Sequence, residues 1–192
     1  MPEVRVGAPA AAVLVPIKAF GLAKARLAPA LAGPERAALA RSMAEAVLAA
    51  AGELPVAVAC EDEEVAAWAR RRGASVVWAP GRGLNGAVED GVTALARRGA
   101  EQVVVAHADI PGAHGLDRLP GFDGVTLVPD RRDDGTNVAC VPARTGFRFA
   151  YGPGSLRRHR AEAGRLGLAV RIVREPLLAW DVDQPCDLSV CR

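Results

Sequence analysis

Lysine is scarce in this chain of 192 residues: Lys18 and Lys24 are the only lysines among its 24 basic residues, and the rest are arginine. An excess of charge of one sign is also missing, because 22 acidic residues leave a net charge of +2. A near-balanced charge offers no broad basic surface of the kind that binds DNA or RNA. The sequence therefore predicts no nucleic-acid partner, and the two lysines, which lie close together, become candidates for a local role.

Long apolar runs are absent too, since none approaches the roughly 20 residues that a helix needs to cross a bilayer. The N-terminus lacks the basic and apolar regions of a secretory leader. The cysteines Cys60, Cys140, Cys186 and Cys191 form no C-x-x-C pair, whereas zinc sites usually need closer spacing. We expect a cytoplasmic protein with free thiols and no membrane contact.

A content of 51% hydrophobic and 24% charged residues is typical of a globular protein. We expect one domain over residues 1–192, with the Pro/Ala-rich residues 1–11 flexible. Apolar runs predict strands at 13–17, 55–59, 74–78, 102–106, 125–129, 138–141, 147–150 and 169–173. Capping residues and apolar stripes predict helices between 33 and 52, between 62 and 73, at 85–98, at 155–166 and from about 183. This alternation indicates an α/β fold, a three-layer α/β/α domain with a mixed, mainly parallel sheet.

Ligands of such sheets bind outside the carboxyl ends of the strands, which directs attention to loops 18–26, 79–86, 107–113, 130–137, 151–155 and 179–185. The first loop carries three cations, Lys18, Lys24 and Arg26. Lysine presents a point charge and arginine can bind two oxygens at once, so this loop suits a polyphosphate. A solvated basic loop is the alternative.

Two acids follow strand-like segments and could hold Mg²⁺, which takes one or two carboxylates and completes its octahedron with water and phosphate oxygens. Asp109 ends the strand at 102–106 and precedes Ile110-Pro111. Asp181 has no local capping duty, whereas Asp183 suits the N-cap of the last helix. We therefore predict Asp109 and Asp181 as metal ligands, and His107 as a structural residue of the loop.

Three further loops contain small or polar residues with two interpretations each. Asn85 could cap a helix or read a purine edge. The hydroxyl of Thr136, beside a glycine, could bind an anion or belong to an ordinary Asp-Gly turn. The segment Tyr151-Gly152-Pro153-Gly154-Ser155 leads into a helix whose free N–H groups could bind phosphate or carboxylate, with Ser155 as cap or ligand.

Eight short motifs occur in an order that resembles one enzyme family, over residues 13–188. They are Val15-Pro16-Ile17-Lys18, Lys24-Ala25-Arg26-Leu27, Gly83-Leu84-Asn85, Ala108-Asp109-Ile110-Pro111, Pro129-Asp130-Arg131, Gly135-Thr136-Asn137, Tyr151-Gly152-Pro153-Gly154-Ser155 and Asp181-Val182-Asp183-Gln184-Pro185. This set resembles the 2-phospho-L-lactate, or phosphoenolpyruvate, guanylyltransferases of coenzyme F420 biosynthesis. The resemblance implies a nucleotidyltransferase fold like that of the nucleotide-diphospho-sugar transferases.

The resemblance also implies a reaction, in which GTP and a phosphorylated three-carbon acid give a guanosine diphospho-acid and pyrophosphate. It implies that Asp109 and Asp181 bind Mg²⁺ and that Thr136, Gly152 and Ser155 bind the phospho-acid. It also implies that Lys18, Lys24 and Arg26 bind the triphosphate of the nucleotide and that Leu84 and Asn85 contact its guanine. Asp109 and the three cations form the implied catalytic set. The product would pass to a transferase acting on the deazaflavin precursor, and a homodimer is one option for the assembly.

Two other functions stay open at this point. One is a molybdopterin or other small-molecule nucleotidyltransferase of the same fold, although the first loop contains only Gly21 where such enzymes have a Gly-rich loop. The other is a non-catalytic nucleotide-binding module. The choice between phosphoenolpyruvate and 2-phospho-L-lactate also stays open, with the Ala/Arg-rich composition favouring phosphoenolpyruvate.

Overall fold

The computed structural model describes the backbone of residues 10–190 and the side chains of residues 10–188. Across this range seven strands alternate with four α-helices. The strands are β1 (Ala11–Pro16), β2 (Val56–Cys60), β3 (Ser75–Trp78), β4 (Gln102–Ala106), β5 (Val125–Pro129), β6 (Thr136–Pro142) and β7 (Val170–Ile172). The α-helices are α1 (Gly33–Ala49), α2 (Glu63–Arg71), α3 (Gly83–Arg97) and α4 (Ser155–Arg165). Short 3₁₀ helices lie at Phe20–Leu22, Ala25–Leu27, Leu116–Arg118 and Pro185–Val190.

The strands form one sheet in the order β3-β2-β1-β4-β6-β5-β7. Only β6 runs antiparallel to its two neighbours, β4 and β5, and the other pairs are parallel. The prediction of a mixed, mainly parallel sheet is therefore confirmed. The strand order reverses between β1 and β4, which creates a crevice at their carboxyl ends.

Helices cover both faces of the sheet, as the three-layer prediction requires. In β1, Val13 and Val15 point into a cluster with α1 and α2, and Leu14 points into a second cluster with α3 and α4. All three side chains are fully buried. A parallel strand buried on both faces reads as a continuous apolar run, which explains why the strands could be found from the sequence.

The element boundaries differ from the predicted ones by one or two residues at most ends, and the strands at 102–106 and 125–129 coincide with β4 and β5. The prediction that residues 1–11 are flexible falls mostly on residues 1–9, which lie outside the described residues. At Ala11 it is wrong, because β1 begins there and pairs with Gln102 of β4. None of the helices within residues 10–190 is long and apolar enough to span a membrane.

One predicted strand, at 147–150, does not form. Its backbone N–H groups donate to side chains, which replace the strand partner that the prediction assumed. The acceptors are Glu162 Oε1 at 3.0 Å for Arg148, Glu89 Oε1 at 3.3 Å for Phe149, and His159 Nε2 at 3.0 Å for Ala150. Phe147 and Phe149 are still buried, so the apolar pattern correctly indicated burial but not sheet pairing.

The cysteines agree with the expectation of thiols as far as they are described. Cys60 and Cys140 are buried thiols outside any disulfide. Burial raises the pKa of the Cys140 thiol to about 12, which keeps it protonated and unreactive at neutral pH. Cys191 lies outside the described residues.

Close packing of α3 against β1 makes Gly91 a sensitive position. A Cβ atom at Gly91 would lie 2.5 Å from Leu14 Cδ2, so one element would have to move. We expect Gly91→Ala to lower the free energy of unfolding by about 1–3 kcal/mol, the usual effect of overpacking. Urea unfolding followed by circular dichroism measures this change.

Gly164→Ala on α4 is the matched control, because a Cβ there meets nothing within 4 Å. Alanine is the better helix former, so this variant should be more stable than the wild type by up to about 1 kcal/mol. Equal stability of Gly91→Ala and the wild type would contradict the close approach of α3 to β1.

Candidate active site

A cavity of about 590 Å³ opens at the carboxyl ends of β1 and β4, where the strand order reverses. Its walls come mainly from the loops that follow these two strands. The volume falls within the range of small-molecule sites, and the position is the one expected for ligands of an open α/β sheet. We take this cavity as the candidate active site.

Six of the predicted site residues line this cavity: Lys18, Lys24, Arg26, Leu84, Asp109 and Gly152. Four others lie outside its lining: Asn85, Thr136, Ser155 and Asp181. Asp183, which was not among the predicted site residues, also lines it. The site therefore combines distant parts of the chain, since Lys24 and Asp183 are 159 positions apart.

Lys24 joins the loops of the site through two ion pairs. Its Nζ atom lies 2.6 Å from Asp109 Oδ2 and 3.2 Å from Asp183 Oδ1, and its side chain is only 10% exposed. The backbone of Lys24 adopts the left-handed conformation, with φ of 55°, between two 3₁₀ turns. Non-glycine residues adopt this conformation infrequently, and here it directs the ammonium group inward. Burial alone would lower the pKa of Lys24, but the two carboxylates outweigh it and raise the pKa.

Asp109 is the acidic centre of the cavity, directly after β4. Burial favours its neutral form, but the Lys24 ammonium, together with His107 and hydrogen bonding, outweighs burial, and the pKa of Asp109 lies below its usual value. Its Oδ2 atom accepts the Lys24 hydrogen bond, while its buried Oδ1 atom has no partner among the described residues. One carboxylate oxygen is therefore available to a further cation or donor.

Asp183 does not cap the last helix, so that interpretation is wrong. The carboxylate of Asp187 takes this role, because its Oδ2 atom accepts from the backbone N–H groups of Asp183 at 2.9 Å and Gln184 at 2.7 Å. This frees the Asp183 side chain to pair with Lys24 and, at 3.3 Å, with Arg26. The sequence carried a signal for this alternative, since Asp187 follows Gln184 by three residues in a capping pattern.

Asp181 lies close enough to Asp109 for the two charges to interact. Burial and then the Asp109 charge raise the pKa of Asp181 above its usual value. The Val182 N–H donates to the Asp109 carbonyl at 3.1 Å and holds the two acidic loops together. Two carboxylates that repel each other form a site in which a cation would be stabilised.

Arg131 holds the acidic loop from the opposite side. Its guanidinium hydrogen-bonds to the Asp187 carboxylate, donates to the Asp181 carbonyl at 3.2 Å, and stacks at 4.4 Å over Trp180. Asp187 is almost fully buried, so this pair is shielded from solvent. Arg131 belongs to one of the eight motifs, but its positioning role was not predicted.

Lys18 and Arg26 present charge to the open side of the cavity. Lys18 is exposed, makes no ion pair with any described residue, and also lines an adjoining cavity of about 60 Å³. Leu84 lines both cavities. The three cations of the first loop therefore differ: Lys24 is buried and paired, Arg26 is 72% exposed and paired, and Lys18 is available.

Asn85 is not a helix cap, because α3 begins two residues earlier, after Arg82. Its Oδ1 atom instead accepts from the Tyr151 N–H at 2.8 Å. Ser155 is not a cap either, since Gly154 occupies that position with φ of 72° and Ser155 is buried. The capping interpretation of both residues is wrong.

Asp134 lies against the N-terminus of α4. Its carboxylate accepts from the Gly154 N–H at 2.8 Å and its carbonyl accepts from Leu156 N–H at 3.0 Å. A negatively charged side chain at a helix N-terminus satisfies the free N–H groups and the dipole. The phosphate-binding interpretation of this segment stays a prediction, and Gly152 itself lines the cavity.

Two histidines lie near this part of the site, and His107 lines the cavity. The His107 ring packs at 4.7 Å against Tyr151, and its backbone N–H donates to the Asn137 carbonyl at 3.0 Å. This surrounding agrees with a structural role. His159 on α4 approaches the Thr136 hydroxyl at 3.1 Å, and sequence reasoning missed it because an Arg-rich helix face surrounds it in the sequence.

Comparison with known proteins shows which family the chain belongs to. A family model described as "Guanylyl transferase CofC like" matches residues 11–191. The chain belongs to this family. A Sphaerobacter thermophilus protein named phosphoenolpyruvate guanylyltransferase is 38% identical to this CofC-like chain over 185 residues, which cover 92% of this chain and 89% of that protein. A Halorubrum lacusprofundi protein named 2-phospho-L-lactate guanylyltransferase is 36% identical over 177 residues, which cover 86% and 77% of the two chains.

A solved structure supports the fold of the CofC-like chain independently. It comes from Desulfovibrio desulfuricans G20, is assigned to the nucleotide-diphospho-sugar transferases, and has a TM-score of 0.77 at 18% identity. It covers 95% of this chain, which covers 86% of it. The predicted family and nucleotidyltransferase fold are both confirmed, and the chain is an enzyme of the nucleotidyltransferase class.

The ion pair of Lys24 and Asp109 should govern the stability of the metal-free protein. Lys24→Met leaves a largely buried carboxylate without its cation, and we expect the free energy of unfolding to fall by about 1–3 kcal/mol at neutral pH. The pKa of Asp109 is lowered on folding, so the pair stabilises the protein above about pH 4 and this stabilisation is lost below it. Urea unfolding in EDTA should therefore show the two proteins converging as the pH falls below about 4.

Arg26→Met is the control for this measurement, because its guanidinium is 72% exposed. An exposed ion pair contributes at most about 1 kcal/mol, so this variant should change stability much less. A difference between Lys24→Met and the wild type that is constant with pH would contradict the role of the Asp109 charge.

Proposed function

We propose that this enzyme transfers GMP from GTP to a phosphorylated three-carbon acid, phosphoenolpyruvate or 2-phospho-L-lactate, and releases pyrophosphate. The product would be enolpyruvyl- or lactyl-diphosphoguanosine, an intermediate for coenzyme F420. The observation that carries the proposal is the cavity in which the cations of the first loop face Asp109 at the β1–β4 crevice. The names of the relatives support the substrates, and the family supports the guanylyl group.

The proposed step needs no general base. A phosphate oxygen of the acid, already ionised, attacks the α-phosphorus of GTP and forms the new phosphorus–oxygen bond. The bond between the α-phosphorus and the bridging oxygen breaks, and pyrophosphate leaves with the electron pair. The enzyme has to position two anions that repel each other and stabilise the charge that develops on the transferred group.

The three cations of the first loop have different proposed tasks. Lys18 is available without breaking an ion pair and binds the triphosphate directly. Arg26 can bind two phosphate oxygens with its fork of N–H donors. Lys24, already held by Asp109 and Asp183, fixes the floor of the cavity and adds positive charge near the reacting phosphorus.

The carboxylates fit a magnesium ion, and we propose Asp109 and Asp181 as its ligands, with Asp183 beside them. In support, the Asp109 Oδ1 atom has no partner among the described residues, and repulsion from Asp109 raises the pKa of Asp181. Within residues 10–190, no group of three or more His, Cys, Asp or Glu residues is arranged to hold a metal alone. This suits Mg²⁺, which binds one or two carboxylates together with water and phosphate oxygens. When bound, Mg²⁺ would neutralise part of the negative charge of the substrates.

The acceptor half of the site is proposed to lie around Gly152 and Thr136. Gly152 lines the cavity with φ of 108°, and its N–H donates to no described residue. The Thr136 hydroxyl receives a hydrogen bond from His159 and has no acceptor for its own proton among the described residues. These donors suit the carboxylate or phosphate of a small acid, and we propose Ser155, buried at the start of α4, as the third contact.

Phosphoenolpyruvate is our preferred acceptor, because six of the relatives with the strongest matches carry its name. We also propose that the product passes to a transferase acting on the deazaflavin precursor. A cytoplasmic location would give the enzyme access to GTP and to phosphorylated acids.

The direct test is pyrophosphate release from a matrix of nucleotides and acceptors. With Mg²⁺, purified protein should release pyrophosphate from GTP in the presence of phosphoenolpyruvate or 2-phospho-L-lactate, and less from ATP or CTP. Mass spectrometry should detect the guanosine diphospho-acid. Omission of the acceptor is the control for simple GTP hydrolysis.

No pyrophosphate with any phospho-acid would remove the proposal. Release only with molybdopterin would favour a molybdopterin guanylyltransferase, and GTP binding without turnover would favour a non-catalytic module.

Two variants should separate the roles of Asp109 and Lys18. Asp109→Asn removes the central carboxylate charge, and we expect kcat to fall by about 10² or more, as for other preorganised charges in active sites. Lys18→Ala removes an available phosphate contact, and KM for GTP should rise about tenfold. Steady-state kinetics with Arg97→Ala, which lies outside the candidate site, provides the control. An active Asp109→Asn enzyme would contradict the assignment of Asp109.

A further inference from the structure

His159 is a fully buried histidine on α4, with 0% of its surface exposed. Aromatic rings surround it, with centroids at 5.8 Å for Phe147, 6.0 Å for Phe149 and 4.9 Å for Tyr151. Such a cage would suit an apolar side chain equally well. The polar ring therefore needs an explanation in its hydrogen bonds.

The hydrogen bonds of the ring determine its tautomer. Nε2 lies 3.0 Å from the backbone nitrogen of Ala150, which can only donate, so Nε2 is the acceptor and carries no proton. A neutral imidazole then carries its proton on Nδ1, which lies 3.1 Å from Thr136 Oγ1 and donates to it. Burial, with smaller contributions from Arg158 and His107, lowers the pKa of His159 to about 4 and keeps the ring neutral.

The first consequence concerns the Thr136 hydroxyl. Its oxygen accepts from His159, so its own proton points elsewhere, and no described residue accepts that proton. The histidine thus leaves the proton of this buried hydroxyl free to donate to another group. A serine or threonine with no such neighbour can rotate its hydroxyl freely.

The second consequence concerns the segment 150–152, which has no strand partner. His159 accepts from the Ala150 N–H, Asn85 accepts from the Tyr151 N–H, and Arg158 donates to the Ala150 carbonyl at 2.8 Å. Gly152, the next residue, lines the cavity. His159 therefore binds two separate segments, the start of β6 at Thr136 and the segment 150–152 that leads into the cavity.

We propose that His159, as a neutral Nδ1–H imidazole, is a positioning residue for the phosphorylated acid, orienting the Thr136 hydroxyl and the 150–152 backbone towards it. This inference rests on the proposed function for its substrate. It predicts that His159 acts on the acid and not on GTP, because its hydrogen bonds go to Thr136 and Ala150 and not to the cations of the first loop.

The kinetic test separates the two substrates. His159→Leu should raise KM for phosphoenolpyruvate about tenfold or more, the effect of losing an oriented hydrogen bond, and leave KM for GTP within about twofold. Leu156→Val, a buried change on the same helix, is the control. It should lower Tm without changing KM for the acid.

Two conservative variants provide a rescue that a merely structural role would not. His159→Asn retains a donor near Nδ1 and should restore much of the affinity that depends on Thr136. His159→Gln retains an acceptor near Nε2 and should restore the part that depends on Ala150. A Thr136→Val change should weaken binding of the acid in the wild type and add little in His159→Leu, because the two residues act together.

The remaining readouts do not depend on turnover. ¹⁵N NMR of labelled histidine at pH 7 should show His159 with its proton on Nδ1, and calorimetry should show weaker binding of phosphoenolpyruvate to His159→Leu.

If the wild type binds the acid but releases no pyrophosphate, the proposed function fails, and weaker binding of the acid by His159→Leu still supports the inference. A proton on Nε2, an unchanged KM and Kd in His159→Leu, or no binding of any phospho-acid to the wild type would overturn it. If His159→Leu does not fold, the Asn and Gln variants provide the same comparison.

Discussion

The contact on which the site depends is the buried ion pair between Lys24 and Asp109, 2.6 Å apart. It joins the loop after β1 to the loop after β4, and a second pair joins Lys24 to Asp183 in the C-terminal acidic loop. The carboxylates of Asp109, Asp181 and Asp183 would repel one another without a cation among them. Lys24 provides this cation. Its backbone adopts the left-handed conformation, which is strained for a residue other than glycine.

The acidic loop is held by side chains from both directions. Asp187 binds the backbone of residues 183 and 184, and Arg131 binds Asp187 and the Asp181 carbonyl. The segment 147–151 is supported in a similar way, by Glu162, Glu89, His159 and Asn85. Both sides of the cavity are therefore irregular backbone fixed by specific acceptors, which agrees with a site that has to hold two anions in a defined orientation.

The prediction from sequence succeeded where burial and local chemistry agree. Continuous apolar runs identified the strands of the parallel sheet because both faces are buried, and Asp62 correctly marked the start of α2, since its carboxylate accepts from the Val65 N–H at 3.0 Å. The prediction failed where a polar side chain could hydrogen-bond either to nearby backbone or to a residue distant in the chain. Asp183, Asn85 and Ser155 all resemble helix caps in the sequence. In the structure Asp187 caps the last helix, α3 begins two residues before Asn85, and Gly154 is the N-cap of α4.

The sequence by itself determined the alternation of strands and helices, the family, and the loops that surround the cavity, because periodicity and ordered motifs are local properties of the chain. Only the tertiary structure decided which polar groups meet. It pairs Lys24 with Asp109 and Asp183 across 85 and 159 positions, closes the N-terminus of α4 with Asp134, and buries His159 against Thr136. Those contacts depend on the reversal of strand order between β1 and β4 and on the antiparallel β6. The sequence does not predict them because the spacing of two residues in the chain does not give their distance across a sheet.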